Sequence, residues 1–277
     1  MTLNGRRTGK QLFAKEIAAG QIRQVYLPYD LCWSVEHFLK FFKPKFGLFV
    51  NSHSPTVAEQ LAHTGYDWLL VDVAAAPIDT LCAQRIQQAA RCPVLIRVAE
   101  TSASAIHHAL DTGATGLILP GIRCAADVEQ VIAACRYPPL GKRAVGMARA
   151  QGYGHNLKTY IDDANEEIVI VPQVDHIDAV REIEAIAAVS GFNALFIEPQ
   201  GIAASLGYPG QISHSEVSAA ISRVQHICDD AERRTGICVQ DLNGAARWMG
   251  ENLTLLAVSS DAMMMSQRAR DVLQVLR

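Results

Sequence analysis

The sequence predicts a (β/α)8 TIM barrel with an N-terminal extension, and three observations support this fold class. Eight short apolar runs of strand length recur along the 277 residues. The runs are apolar at successive positions, which is typical of parallel strands buried on both faces. Segments with the spacing of amphipathic helices separate the runs, and eight strand–helix units close a parallel sheet into a barrel.

Predicted strands and helices alternate along the chain. The strands are predicted at 46–51, 68–73, 94–98, 116–119, 168–174, 194–197, 236–239 and 255–258. The helices are predicted at 56–63, 80–90, 102–111, 125–135, 177–189, 215–234, 244–250 and 262–276. An open doubly wound sheet is the alternative, but the first strand is not followed by the G-x-G-x-x-G turn that would favour a Rossmann fold.

Residues 1–45 lie outside this alternation and are predicted to form a helical or extended arm. The barrel domain is predicted to span residues 46–277. The aromatic cluster of Phe38, Phe41 and Phe42 with Phe46 is interpreted as packing that closes the bottom of the barrel or forms a subunit contact.

Composition excludes several classes of partner. The chain has 25 Lys and Arg against 28 Asp and Glu, a formal net charge of -3 and no long basic run, so neither nucleic acid nor an anionic membrane surface is expected to bind. No apolar run reaches the roughly 20 residues that span a bilayer, and no apolar signal segment follows the basic N-terminus. The seven cysteines are odd in number and form no C-x-x-C pair, which indicates reduced thiols. A cytoplasmic protein is expected.

Reacting groups of a barrel lie at the carboxyl ends of its strands, and there the sequence places a ring of polar residues. Arg97 offers a planar fork for the carboxylate of a 2-oxo acid, although an ion pair with Asp72 on the neighbouring strand is an alternative. Asp175 is a candidate ligand for Mg²⁺ or Mn²⁺, with Glu198 or Asp72 as a second ligand. For Glu198 and Asp72, a salt bridge to Arg97 or Arg123 is the structural alternative to metal binding.

Seven segments resemble the HpcH/HpaI aldolase family of metal-dependent class II pyruvate aldolases, to which citrate lyase β-subunits are more distantly similar. They are GLFVNSHSPTVAEQLAHTGYDWLLVDVAAAPID at 47–79, LIRV at 95–98, ALDTGATGLILPGI at 109–122, RYPPLGKRAVGMARAQGYG at 136–154, IVIVPQVD at 168–175, FIEPQGIAASLGY at 196–208 and LLAVSSDAMMM at 255–265. The resemblance covers about residues 47–277. It implies a TIM barrel that uses a divalent metal (Mg²⁺ or Mn²⁺), acts on pyruvate or oxaloacetate enolates, and assembles as a homo-oligomer, either a trimer or a hexamer.

The resemblance assigns roles to individual residues. Arg97 matches the arginine that binds the oxo-acid, and Gln173 matches the glutamine beside it. Asp72 and Asp111 match aspartates of the catalytic machinery. Asp175 replaces the glutamate that is the first metal ligand. Two further residues, Gln200 and Gly201, are expected beside the substrate.

Two departures from the family pattern affect the chemistry. Where relatives have D-x-E-H-x-P, this chain has Ala75 at the histidine position. Where relatives have G-P-x-D-L, it has Gly201 at the position of the second metal-ligating aspartate. Glu198, on the same loop, is a candidate replacement ligand. His53, after the first strand, is a candidate replacement for the missing base.

These residues support one leading function and two alternatives. The leading hypothesis is a lyase of the aldolase type that acts on a 2-oxo acid or a related small carboxylate, with an altered catalytic site. A related alternative is a citrate-forming condensing enzyme of a siderophore pathway. The alternative from another class is a degenerate barrel that binds a carboxylate or a partner protein without turnover.

Overall fold

The computed structural model describes residues 45–248 and 253–277, which form a closed barrel of eight parallel strands. Each strand pairs with the next, and the last pairs with the first, which confirms the predicted fold class. The strands are β1 (Lys45–Val50), β2 (Trp68–Asp72), β3 (Val94–Arg97), β4 (Gly116–Leu119), β5 (Val169–Val174), β6 (Leu195–Ile197), β7 (Thr235–Val239) and β8 (Leu253–Ser260). The predicted N-terminal arm lies outside the described residues, except for its last residue, which begins β1.

Helices follow the strands around the outside of the barrel. They are α1 (Pro55–His63), α2 (Thr80–Ala89), α3 (Ala103–Asp111), α4 (Ala125–Cys135), α5 (Leu157–Glu167), α6 (Ile177–Arg181), α7 (Ile183–Ala188), α8 (Pro199–Ser205), α9 (Ser215–Asp230), α10 (Leu242–Trp248) and α11 (Asp261–Leu276). A 3₁₀ turn spans Gly152–Gly154. The structure differs from the prediction in dividing 177–189 into α6 and α7 and in adding α5 and α8. No helix in these ranges is long and apolar enough to cross a membrane.

Two apolar layers stabilise the barrel, one inside it and one between strands and helices. The inner layer uses alternate strand positions, such as Trp68 and Leu70 on β2 or Val169 and Val171 on β5. Because side chains alternate between the two faces of a strand, the same alternation continued toward the carboxyl ends turns the rim residues Asp72, Arg97, Gln173 and Glu198 inward. The alternation of the inner core therefore predicts which polar side chains point toward the barrel axis at the carboxyl end.

The inner layer leaves no room for a side chain at two glycines. A Cβ at Gly47 would lie 2.2 Å from the Trp68 ring, and a Cβ at Gly236 would lie 2.7 Å from Phe196. Two large aromatic rings thus fill the barrel at these points, and the interior is packed rather than open.

Helix α11 buries almost nothing along its 16 residues. Its first residue, Asp261, is its one buried residue, whereas Met265, Val275 and Leu276 are 72%, 86% and 76% exposed. Asp261 accepts hydrogen bonds from the backbone N–H groups of Asn51 and Ser52 and so ties the start of α11 to the loop after β1. The rest of the helix presents an apolar surface.

Candidate functional site

Asp72 and Arg97 form a two-pronged ion pair at the carboxyl ends of β2 and β3. The two residues are register partners in the parallel ladder. Arg97 donates from Nε to Asp72 Oδ1 at 2.9 Å and from Nη2 to Oδ2 at 2.6 Å. Asp72 Oδ1 also accepts from the backbone N–H groups of Ala74 and Ala75, both at 3.1 Å. The carboxylate therefore fixes both the guanidinium and the loop that follows β2.

The surroundings of Arg97 at the rim keep its guanidinium charged. Burial disfavours the charged form, but the hydrogen bonds and the charge of Asp72 outweigh it and raise the pKa of Arg97. The guanidinium carbon lies 5.1 Å from the centre of the Phe49 ring, which adds a cation–π contact. Within the described residues Nη1 makes no hydrogen bond, so the predicted substrate anchor and the alternative ion pair with Asp72 are compatible.

Asp175 lies at the centre of a second polar cluster after β5. Its Oδ1 accepts from Arg123 Nη1 at 2.8 Å, and its Oδ2 accepts from Gln173 Nε2 at 3.0 Å and from the Gly121 N–H at 3.1 Å. Gln173 is buried, and its Oε1 has no hydrogen-bond partner in the described chain. Both oxygens of the Asp175 carboxylate are thus engaged by groups of the loop after β4 and by Gln173.

Glu198 caps the first turn of α8. Its carboxylate accepts from the backbone N–H groups of Gln200 and Gly201 and from the Cys238 thiol at 3.5 Å. A negative charge at a helix N-terminus is favourable. Burial, together with the negative charge of Glu198, raises the pKa of Cys238 well above its ordinary value, so this thiol stays protonated and acts as a donor.

Gly201 is a point of close approach between β5 and α8. A Cβ there would lie 2.5 Å from the backbone oxygen of Asp175, 2.9 Å from the Asp175 Cβ and 2.9 Å from Glu198 Oε2. The Glu198 carboxylate therefore occupies the space in which a side chain at 201 would begin. A side chain at 201 would therefore crowd the backbone that follows β5 as well as the Glu198 carboxylate.

The donor set does not fit the divalent metal that the family resemblance implies. Position 201 offers no side chain, Arg123 already neutralises Asp175, and the oxygens of Glu198 accept from backbone and thiol groups. Within 45–248 and 253–277, no group of three or more His, Cys, Asp or Glu side chains could hold a metal ion. A divalent cation at Asp175 would meet the like charge of the guanidinium. The structure thus gives no support to the expectation that Asp175 and Glu198 are metal ligands.

His53 lies against the loop that follows β2. Its Nε2 hydrogen-bonds to the carbonyl oxygen of Pro77, two residues beyond Ala75, and its backbone oxygen accepts from the Cys82 thiol at 3.6 Å. Since a carbonyl only accepts, Nε2 must donate, and Nδ1 is the nitrogen left to take a proton. The structure therefore brings His53 to the loop that carries the missing histidine position.

Asp111, expected in the catalytic machinery, lies away from this rim. It ends α3, five residues before β4 begins, and the connections from helices to strands lie at the amino ends of the strands. There its Oδ1 accepts from Arg143 Nη2 at 2.8 Å and from Gln151 Nε2 at 3.0 Å. Arg143 is buried between the rings of Tyr137 and Tyr160. Within one chain Asp111 therefore holds Arg143 and Gln151 by hydrogen bonds at the amino end of the barrel.

Gln200 and Gly201, expected beside the substrate, contribute backbone rather than side-chain contacts: both donate their N–H groups to Glu198. Sequence reasoning missed Cys238 and Phe49 as neighbours of Arg97 and Glu198. The alternation of side chains along β1 and β7 could have identified both residues, since it turns Phe49 and Cys238 toward the inside of the barrel. Both pack against the inner apolar layer.

The structure is a closed parallel barrel with two arginines, each paired with a carboxylate, at the carboxyl ends of its strands. The model of the HpcH/HpaI aldolase/citrate lyase family matches residues 45–267, and the chain belongs to this family. A model of 3-deoxy-D-manno-octulosonic-acid transferases also matches residues 1–72, which overlaps the first two strands.

Named relatives extend over most of the barrel. The chain is 34% identical over 249 residues to a hydroxypyruvate/pyruvate aldolase of Paraburkholderia phytofirmans, covering 86% of this chain and 95% of the relative. It is 36% identical over 227 residues to a 2-keto-3-deoxy-L-rhamnonate aldolase of Klebsiella pneumoniae, covering 80% and 84%. The crystal structure of a family member from Burkholderia cenocepacia superposes with a TM-score of 0.83 at 32% identity, covering 88% and 98%. These names favour an aldolase over the non-catalytic and citrate-forming alternatives.

Proposed function

We propose that this chain is an aldolase-type carbon–carbon lyase that acts on a 2-oxo acid of the pyruvate or hydroxypyruvate class. The observation that carries the proposal is Arg97, a charged guanidinium at the end of β3 that Asp72 holds and whose Nη1 makes no hydrogen bond with the part of the chain that the structure describes. A planar fork of this kind recognises a carboxylate by paired, charge-assisted hydrogen bonds. The relatives named as pyruvate and hydroxypyruvate aldolases support the substrate class.

In the cleavage direction, the C3–C4 bond of a 4-hydroxy-2-oxo acid breaks. A base takes the proton of the C4 hydroxyl, the C4 oxygen becomes an aldehyde carbonyl, and the bonding electrons pass into an enolate that is protonated to pyruvate. Arg97 holds the carboxylate. His53 is the proposed base: its Nε2 donates to the Pro77 carbonyl oxygen on the loop that carries Ala75, which leaves Nδ1 as the nitrogen that can accept a proton.

The direct test is cleavage of a panel of 4-hydroxy-2-oxo acids, with the pyruvate released measured by coupling to lactate dehydrogenase and NADH. Arg97→Lys keeps the charge but loses the fork, and Arg97→Gln loses both. A buried charge-assisted contact is worth about 2–5 kcal/mol in binding, so we expect kcat/KM to fall by tens to thousands of fold, less for Lys than for Gln.

Circular dichroism of each variant separates this effect from a loss of folding, and a surface arginine serves as the control for activity. Arg223→Gln removes an arginine whose Nη2 donates to both carboxylate oxygens of Glu184 on the outer helices, and it should leave kcat/KM unchanged. His53→Gln should lower kcat by about 10²–10⁴-fold with little change in KM. Full activity in the Arg97 variants, or no cleavage by the wild-type chain of any substrate in the panel, would contradict the proposal.

Assembly and location are further proposals. We infer that α11 packs against a second copy of this chain in a homo-oligomer, a trimer or a hexamer, because its apolar side chains are exposed in one chain and such patches commonly mark interfaces. Light scattering coupled to size-exclusion chromatography tests this, with Val275→Glu expected to lower the measured mass. The free cysteines of the described chain support a cytoplasmic location.

A further inference from the structure

Arg123 lies on the carboxylate that matches the first metal ligand of the family. It follows β4 by four residues, and Nη1 bridges Asp175 Oδ1 at 2.8 Å and the carbonyl oxygen of Ile122 at 2.9 Å. The two contacts fix one edge of the guanidinium. A permanent positive charge is therefore built into the chain at the point where relatives are expected to recruit a metal ion.

The rest of the guanidinium faces outward. The Arg123 side chain is 41% exposed, and within the described ranges its Nε and Nη2 donate no hydrogen bond. These N–H groups remain available to an anion. Arginine stays protonated at any working pH, so this charge does not depend on metal supply.

Each of the two rim arginines is held by a carboxylate, and the third rim carboxylate is held by backbone. Asp72 braces Arg97, Asp175 braces Arg123, and the backbone of α8 binds the Glu198 carboxylate. Arg97 and Arg123 belong to successive strand–helix units, β3 and β4, which are adjacent in the barrel. A 2-oxo acid presents two oxygen-bearing groups, a carboxylate and a carbonyl whose oxygen becomes negative in the enolate, and each suits one guanidinium.

We propose that Arg123 replaces the divalent metal of the family, so that Arg97 and Arg123 bind a 2-oxo acid or its enolate without a metal ion. This inference rests on the proposed function for the class of ligand only. It explains together why Asp175 survives, why position 201 has lost its carboxylate and why both oxygens of Asp175 are engaged by protein donors.

The test uses oxalate, a planar dianion that resembles the enolate of pyruvate, and pyruvate itself. Calorimetry measures the affinity of the wild-type chain for each in buffer with EDTA and in buffer with Mn²⁺. The same titrations are made with Arg123→Gln, Arg123→Lys and the surface control Arg223→Gln, after circular dichroism has shown that each variant is folded. Electron paramagnetic resonance of free Mn²⁺ reports directly on metal binding by the wild-type chain.

We expect oxalate to bind the wild-type chain equally well in both buffers and Mn²⁺ to remain free. Loss of a charge-assisted contact of about 1.5–3 kcal/mol predicts an affinity for oxalate roughly 10- to 100-fold lower in Arg123→Gln. Arg123→Lys should be intermediate and Arg223→Gln unchanged. Three results would overturn the inference. The first is binding of oxalate only when Mn²⁺ is present, and the second is binding of oxalate by Arg123→Gln as tight as that by the wild-type chain. The third is that neither oxalate nor pyruvate binds in either buffer.

Turnover separates this inference from the proposed function. If the wild-type chain cleaves 4-hydroxy-2-oxo acids but EDTA abolishes the cleavage, the proposed function stands and the inference fails. If oxalate binds through Arg123 without metal but nothing is cleaved, the inference stands and the proposed function fails.

Discussion

Removing Asp72 should destabilise the whole barrel as well as the site. Asp72 is 1% exposed and accepts four hydrogen bonds, two from Arg97 and two from backbone N–H groups. In Asp72→Ala the guanidinium, whose side chain is 13% exposed, keeps its charge without its counter-ion. Breaking a buried pair in this way costs about 3–5 kcal/mol, a large fraction of the roughly 5–15 kcal/mol that holds a domain folded.

Urea unfolding followed by far-ultraviolet circular dichroism measures this cost as a shift of the midpoint at constant slope. Asp72→Leu combined with Arg97→Met removes both charges, and we expect it to recover most of the stability, since replacing both partners by apolar groups is commonly neutral. Glu184→Ala breaks the exposed pair with Arg223 and should cost under about 1 kcal/mol. The reasoning is wrong if Asp72→Ala costs no more than Glu184→Ala, or if the double variant is as unstable as Asp72→Ala.

Two further predictions concern stability. Gly201→Ala should lower the free energy of unfolding by about 1–3 kcal/mol, because its Cβ would lie 2.5 Å from the backbone oxygen of Asp175; the exposed Ala204→Ser on the same helix is the control, and equal stability of the two variants would exclude the crowding. Burial raises the pKa of Cys135 to about 12 from an ordinary 9.0. The native state therefore holds a proton that the unfolded chain releases above about pH 9, so the contribution of this thiol to stability is complete below pH 9 and is lost as the pH rises toward 12. The difference in unfolding free energy between wild type and Cys135→Ala should shrink by about 1 kcal/mol from pH 8 to pH 10; a constant difference in urea titrations at the two pH values would contradict this.

The sequence predicts the barrel well because its strands carry a strong local signal. Strands such as β4 and β6 are continuous apolar runs in which every residue is buried, and runs of this kind are typical of parallel strands covered on both faces. Helix α5 was missed because its segment, LKTYIDDANEE, buries a single residue, Ala164. Helix α8 was missed because its seven residues are too short for a helical period to be visible.

The site was predictable where neighbouring strands bring residues together. Asp72 and Arg97 are the last residues of consecutive strands, and the ion pair between them was one of the two interpretations of these residues. A salt bridge to Arg123 was expected, as one alternative, for Glu198 or Asp72, whereas Arg123 pairs with Asp175. The capping role of Glu198 was not predictable, because it depends on the direction in which a short loop turns into a helix. Resemblance alone placed Asp111 in the catalytic machinery, whereas its contacts in the chain are with Arg143 and Gln151, more than thirty residues away.

The contacts of Gly201 constrain how this rim can change. A Cβ at 201 would lie 2.5 Å from the backbone oxygen of Asp175 and 2.9 Å from Glu198 Oε2, so moving the Glu198 carboxylate relieves only one of the two contacts. Removal of the carboxylate at 198 would leave the first turn of α8 without its acceptor. Any library or graft that reshapes this loop should therefore vary the segment that follows β5 together with 198 and 201.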